Sequence, residues 1–178
     1  GVDTTAGTLS ASGTLIKRAT ATHKRALRTG TVAKINARGR QLATTGVKPA
    51  QSYGSNARGT NQTVTAKQKS NIAIAIGLAH IGGSATIAIE WALGPKAHPA
   101  VYNITGHIRS WLRYWDHHEE HRTEELAKVW RLAYARISQC KKGTNSMWAQ
   151  VKSPMSACIA ALIELDWKPH HPIHWILP

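Results

Sequence analysis

Acidic side chains are scarce in this sequence: 9 Asp plus Glu stand against 23 Lys plus Arg in 178 residues, a formal net charge of +14. The first 70 residues hold twelve Lys or Arg against Asp3 alone, a net of +11. Such imbalance favours a polyanionic partner over a small neutral substrate. Cysteine is rarer still. Cys140 and Cys158 are the only two, too few for a disulfide framework and spaced as no common zinc pattern. They read as buried thiols of a reducing, intracellular setting, with nucleus and organelle left open. Apolar runs such as IAIAIGLAHIGG are too short and too interrupted to span a bilayer, and the start shows no signal-peptide pattern. The first residue is Gly, so the chain reads as an excised fragment.

Catalytic signatures are equally thin. No Gly-rich phosphate loop ending in Lys-Ser/Thr, no G-x-S-x-G elbow and no Asp-Asp pair occurs. One stretch, HHEEH at 117–121, satisfies the H-x-x-E-H pattern with His117, Glu120 and His121. Two His at i and i+4 on a helix can share a metal, and a Glu beside them can activate its water. The stretch sits between two expected helices, however, and no third ligand is marked. Thr123, Glu124 and Glu125 are ordinary helix-start chemistry. The trio His170, His171 and His174 lacks Cys or carboxylate partners in register. No cofactor and no catalytic residue is expected.

The apolar patterning is helical. Val101, Ile104, Ile108, Trp111, Leu112 and Trp115 recur at three- and four-residue steps, as do Leu126, Val129, Trp130, Ala133 and Ile137. Two such helices joined by a short polar turn are expected to pair antiparallel as the core. A helix is expected from about Ala66 to His80, but its centre, NIAIAIG, also alternates like a strand through Ile72, Ile74 and Ile76. ATIAIEWALG does nearly the same through Ile87 and Ile89, so a hairpin joined through HIGGSA is the alternative. Helix is preferred because the flanking residues are helix formers and no third strand exists. Pro154 starts another helix, with Met155, Cys158, Ile159, Leu162 and Leu165 as its core face. The Pro-rich tail after it reads as an extended strap anchored by Trp167 and Trp175.

The basic third divides into TLIKRATATHKRALRT, expected to stop at Gly30, a second basic segment through Gly46, and a loop, VKPAQSYGSNARGTNQTVT. Lys17-Arg18 and Lys24-Arg25 lie seven residues apart, near two helical turns, with Arg28 four beyond Lys24. One side of a helix then carries a ladder of cations. Lys34, Arg38, Arg40 and Lys48 extend it. Tyr53 is the one aromatic nearby, so phosphate contact is expected rather than base readout. The triplets Asn61-Gln62-Thr63 and Asn103-Ile104-Thr105 match the glycosylation pattern by chance.

LATTGVKPAQSYGSNARG, with its Tyr53-Gly54 pair, resembles the segment after the polymerase palm in reverse transcriptases of non-LTR, LINE-type retrotransposons. ATIAIEWALG, IRSWLRYW and WAQVKSPMSACIAALIELDWKPHHPIHW resemble the region that follows it in dinoflagellate retroelement polyproteins, and GVDTTAG is similar to the stretch directly behind the palm. The resemblance implies a thumb or connecting region without the palm aspartates, gripping nucleic acid through Lys17, Arg18, Lys24, Arg25, Arg28, Lys34, Arg38 and Arg40.

The expected fold is all-α: a flexible lead-in at 1–13, a basic helical arm and loop at 14–64, and a Trp-rich helical domain at 65–178. The expected function is non-catalytic binding of RNA, DNA or a hybrid within a reverse-transcriptase-derived polyprotein. A basic structural subunit of a ribonucleoprotein or other assembly is the alternative, and a metal hydrolase the third.

Overall fold

The computed structural model describes residues 12–78 and 83–177. The lead-in expected at 1–13 therefore lies outside the described residues except at Ser12 and Gly13, where a helix begins. The protein is all-α: among the described residues the sole β feature is an isolated antiparallel bridge between Lys168 and Ile176. None of the described helices is long and apolar enough to cross a membrane. The chain divides into two compact units, one built from the described residues of 12–54 and 63–103, the other from 55–62 and 104–177. Residues 63–103 thus share a unit with the basic helix that begins the chain's described part.

The first unit is laid on α1 (Ser12–Ile35). Its buried positions Leu15, Ala19, Thr22, Ala26, Thr29 and Ala33 fall at alternating three- and four-residue steps, a narrow stripe of mostly small side chains. The helix runs through Gly30, where a stop was expected, and ends at Ile35; Asn36 then turns the chain and caps a 3-10 turn, Ala37–Arg40, by accepting from Arg38 N at 3.0 Å. A π-helical turn, Ala43–Val47, leads into α2 (Lys48–Ser52); short α3 (Ser55–Arg58) belongs to the second unit, and the chain returns to the first with α4 (Gln62–Ala75). After residue 83 the unit resumes with α5 (Ala85–Leu93). The stretch that alternated like a hairpin is thus helical through Ala75 and again from Ala85, the last residue of its expected turn HIGGSA; residues 79–82 lie outside the described residues.

Gly30 persists inside α1 because α4 passes against it. A Cβ built there would lie 2.3 Å from the Ile74 carbonyl oxygen, whereas one at Gly13 of the same helix meets nothing within 4 Å. Helix propensity favours Ala over Gly by about 1 kcal/mol, but overpacking against a backbone group costs roughly 1–3 kcal/mol. Gly30→Ala is therefore expected to lower stability in urea unfolding while Gly13→Ala leaves it unchanged or slightly raised; stabilisation by both would mean that the helices are not in this close approach.

Residues 47–65, expected as a loop, are largely helical, and within the first unit the buried amide of Gln51 is bonded to distant residues. Gln51 and Gln68 exchange amide bonds, each Nε2 donating to the other's backbone carbonyl at 3.2 Å. Asn71 Nδ2 donates to Ala19 O at 2.8 Å and to Gln51 Oε1 at 3.1 Å, and Asn103 Nδ2 donates to Gln68 Oε1 at 2.9 Å. All four amides are buried, so the network is internal, and Asn103 is no surface acceptor for a glycan. Around it Ala26, Val47, Ile72, Ile76 and Ile89 form the apolar core.

The second unit takes its centre from α9 (Pro154–Glu164), not from the expected antiparallel pair. Ser153 and Ser156 close a capping box at its start, and every residue from Met155 to Leu162 is buried. A helix without charge on its first two turns can be surrounded; amphipathic helices pack on it with one face. The neighbours of α9 are α7 (Thr123–Ser138), α8 (Asn145–Ala149) and α3 (Ser55–Arg58), while residues 104–116 of α6 (Pro99–Asp116) add Trp111 and Ile108 to the same apolar core. α7 packs along α9, and its Trp130 and Ile137 are fully buried, though Val129 of the expected stripe is 51 % exposed. In residues 104–116 of α6 the buried positions are His107 and Trp111, with Ile108 packed beside them.

The tail does form a strap. Trp111 Nε1 donates to Pro172 O at 2.8 Å and Trp130 Nε1 to Pro169 O at 2.7 Å, so the indoles hold carbonyls whose own residues have no N–H to offer a ladder. Trp167 and Trp175 meet edge to face at 6.2 Å and pack on the core, as their anchoring role required. Cys158 is buried and Cys140 partly so; burial pushes the Cys158 thiol well above its ordinary range.

Candidate nucleic-acid interface

Because the buried stripe of α1 fixes one side of the helix, the opposite side is determined by the 100° step per residue. Lys17, Lys24 and Arg28 fall there, exposed, in a row that rises about 10 Å between the first two and about 6 Å to the third. Their side chains make no hydrogen bond or ion pair with another described residue, and the same holds for exposed Lys34 and Arg38. Carboxylates that could neutralise them are missing locally. The described residues of this unit carry twelve Lys or Arg and one acid, Glu90.

The other cations of the expected set are engaged with the unit itself. Arg18 donates to the Tyr53 carbonyl and lies over the Tyr53 ring at 5.1 Å, so the one aromatic of the basic third is paired with a cation. Arg25 Nη1 reaches Gly46 O at 3.3 Å. Lys48 donates to Lys96 O at 3.2 Å and sits 4.1 Å from the Tyr102 ring centroid; burial lowers its pKa. Arg40 lies 5.5 Å from the Trp91 ring centroid. The ladder thus separates into cations open to solvent and cations that clamp the chain, a division that spacing alone does not reveal.

Two residues outside the expected set join this electropositive surface. Lys69 on α4 and Trp91 on α5 line, together with Arg40, a groove of about 610 Å³. Trp91 is 73 % exposed. Its signal in the sequence is the second apolar face of ATIAIEWAL: Ile89 serves the core, so Ile87 and Trp91, four residues apart, are left over on another side.

The histidine motifs do not assemble. α6 ends at Asp116, and His121 lies in a separate 3-10 turn, Glu120–Arg122, so His117 and His121 do not share a helical face. His117 Nδ1 is bonded to Arg113 O at 2.8 Å, and His121 lies 3.5 Å from the Glu119 carboxylate with both side chains exposed. His118 between them stacks on Trp115 at 4.3 Å. His171 and His174 approach each other at 3.2 Å, but His170 packs on Tyr134. Among the described residues no three His, Cys, Asp or Glu side chains converge as metal ligands.

Comparisons with protein-family models, curated proteins and solved structures return no match.

Proposed function

We propose that this chain is a nucleic-acid-binding region that holds phosphates along the outer face of α1. The observation that carries the reading is the row Lys17, Lys24 and Arg28, opposite the buried stripe of its helix and without a local carboxylate among the described residues. Point charges on a rigid rod attract a polyanion irrespective of its sequence, and each phosphate neutralised releases condensed counterions. The wider setting we propose, the thumb or connecting part of a reverse-transcriptase-derived polyprotein, rests on the resemblance of LATTGVKPAQSYGSNARG and the later segments. The absence of an Asp-Asp pair supports binding without catalysis there.

A salt titration of labelled RNA and DNA tests this directly. The slope of log affinity against log salt is expected to be steep for the wild type and to shrink by up to about 2.7 in the triple variant K17Q/K24Q/R28Q, at roughly 0.9 for each duplex phosphate left without its cation. A wild type that binds neither polymer in dilute salt, or a triple variant with an unchanged slope, would remove α1 as the interface.

A further inference from the structure

We propose that the groove lined by Arg40, Lys69 and Trp91 accepts an unpaired nucleotide, its base stacked on the Trp91 indole and its phosphate held by Arg40 and Lys69. The inference rests on the nucleic-acid reading above and narrows it to single-stranded or unpaired segments.

Four features of the first unit converge on this. The groove's volume, about 610 Å³, lies within the range of small-ligand sites, roughly 300–1,000 Å³. Its walls are small or apolar, including Ala66, Ala73 and Ala88, so a flat ring can enter without displacing a bulky side chain. At its edge stands an indole 73 % exposed to solvent. Exposed Trp is costly unless something covers it, and every nucleobase presents a face that stacks on an aromatic ring whatever the sequence. The charge selects among flat occupants. Among the described residues Arg40 and Lys69 are the charged ones lining the groove, and no carboxylate does so.

Arg40 adds a further mark. Its guanidinium lies over the Trp91 ring at 5.5 Å, while its Nε is shielded from solvent and has no hydrogen-bond partner among the described residues. Leaving such a donor unsatisfied costs about 1–3 kcal/mol. A small shift of this side chain lets that donor meet a phosphate oxygen or a base acceptor. An aliphatic ligand or an apolar peptide would bury Trp91 equally well but would strand both cations without a counter-charge. A polyanion carrying flat rings satisfies indole and cations together.

The test uses the full chain and three labelled probes of equal length: single-stranded oligo(dT), the same strand with abasic sites, and a blunt duplex. Trp91→Ala is expected to weaken oligo(dT) binding about five- to a hundredfold, the worth of one stacked base. It should leave duplex binding within about twofold and the salt slope unchanged, because the indole carries no charge. Trp91→Phe should retain most of the oligo(dT) affinity, and Arg40→Gln should weaken oligo(dT) and abasic strand alike. Trp91 is exposed, so these variants keep the fold; coincident thermal melts verify that. Equal affinity of the wild type for oligo(dT) and abasic strand, or equal loss for oligo(dT) and duplex on Trp91→Ala, overturns the proposal. If the wild type binds all three probes with a steep salt slope and Trp91→Ala changes nothing, the α1 interface stands and the groove does not. If the wild type binds none, both fall.

Discussion

Replacing Trp130 by Ala is expected to destabilise the second unit by about 3–5 kcal/mol, the cost of emptying a fully buried aromatic site. Trp130 is 0 % exposed, its ring lies 5.1 Å from that of Trp111, and its Nε1 supplies the hydrogen bond to Pro169 O. The substitution therefore removes three things: the largest volume on α7, one half of an indole pair, and the donor that holds the strap. Against a native stability of about 5–15 kcal/mol for an ordinary domain, that loss is a large fraction. Trp130→Phe separates the contributions, since it keeps a ring but leaves the Pro169 carbonyl unbonded, at about 1–2 kcal/mol. Leu132→Ala on the same helix, 65 % exposed, should change stability by less than about 0.5 kcal/mol. Urea unfolding followed by circular dichroism checks all three. A Trp130→Ala cost as small as that of Leu132→Ala would show that the α7 face is turned wrongly.

Acid is expected to destabilise the same unit through His107, which is fully buried. Its Nε2 lies 3.5 Å from Thr60 Oγ1, its Nδ1 has no partner among the described residues, and its ring packs on Trp148 at 5.7 Å. Burial holds its pKa down at about 4, from an ordinary 6.5. Between those values the unfolded chain binds a proton that the folded chain does not, so stability rises with pH there. The contribution is fully present above about pH 6.5, and it is lost as pH falls toward 4, by about 3 kcal/mol in all. Burial lowers His98 and His171 as well, so the informative quantity is the difference between wild type and His107→Gln. Unfolding free energies measured from pH 7 to pH 4 should fall more gently in the variant. Parallel profiles would mean that His107 is solvated or already charged in the native state.

Much of the secondary structure was legible because local chemistry dictates it. The stripe of Leu126, Trp130, Ala133 and Ile137, the start of α9 at Pro154 and the extended Pro-rich tail all follow from spacing, the fixed φ of proline and missing N–H groups. The helical answer for 72–75 and 85–93 followed from the lack of other strands. What misled was polarity and glycine taken locally. Gln51 read as loop because an isolated segment has no partners for its buried amide; across the unit, Gln68 and Asn71 supply them. Gly30 read as a stop for the same reason, since nothing in α1 says that the Ile74 carbonyl lies against it.

For the candidate interface the division is similar. Charge imbalance and the seven-residue repeat place Lys17, Lys24 and Arg28 without any structure. They do not separate these residues from Arg18, Arg25, Arg40 and Lys48, whose side chains find carbonyls or rings brought up from elsewhere in the chain. Composition and spacing alone determined that the molecule is helical and that its first part is electropositive, since both are sums over near neighbours. Tertiary structure alone decided which cations remain open, why an uncharged helix sits in the middle of the second unit, and that Trp91 faces a groove while Trp111, Trp130 and Trp148 are buried. Each of those depends on what a residue meets at a distance in sequence, a meeting that no local pattern encodes.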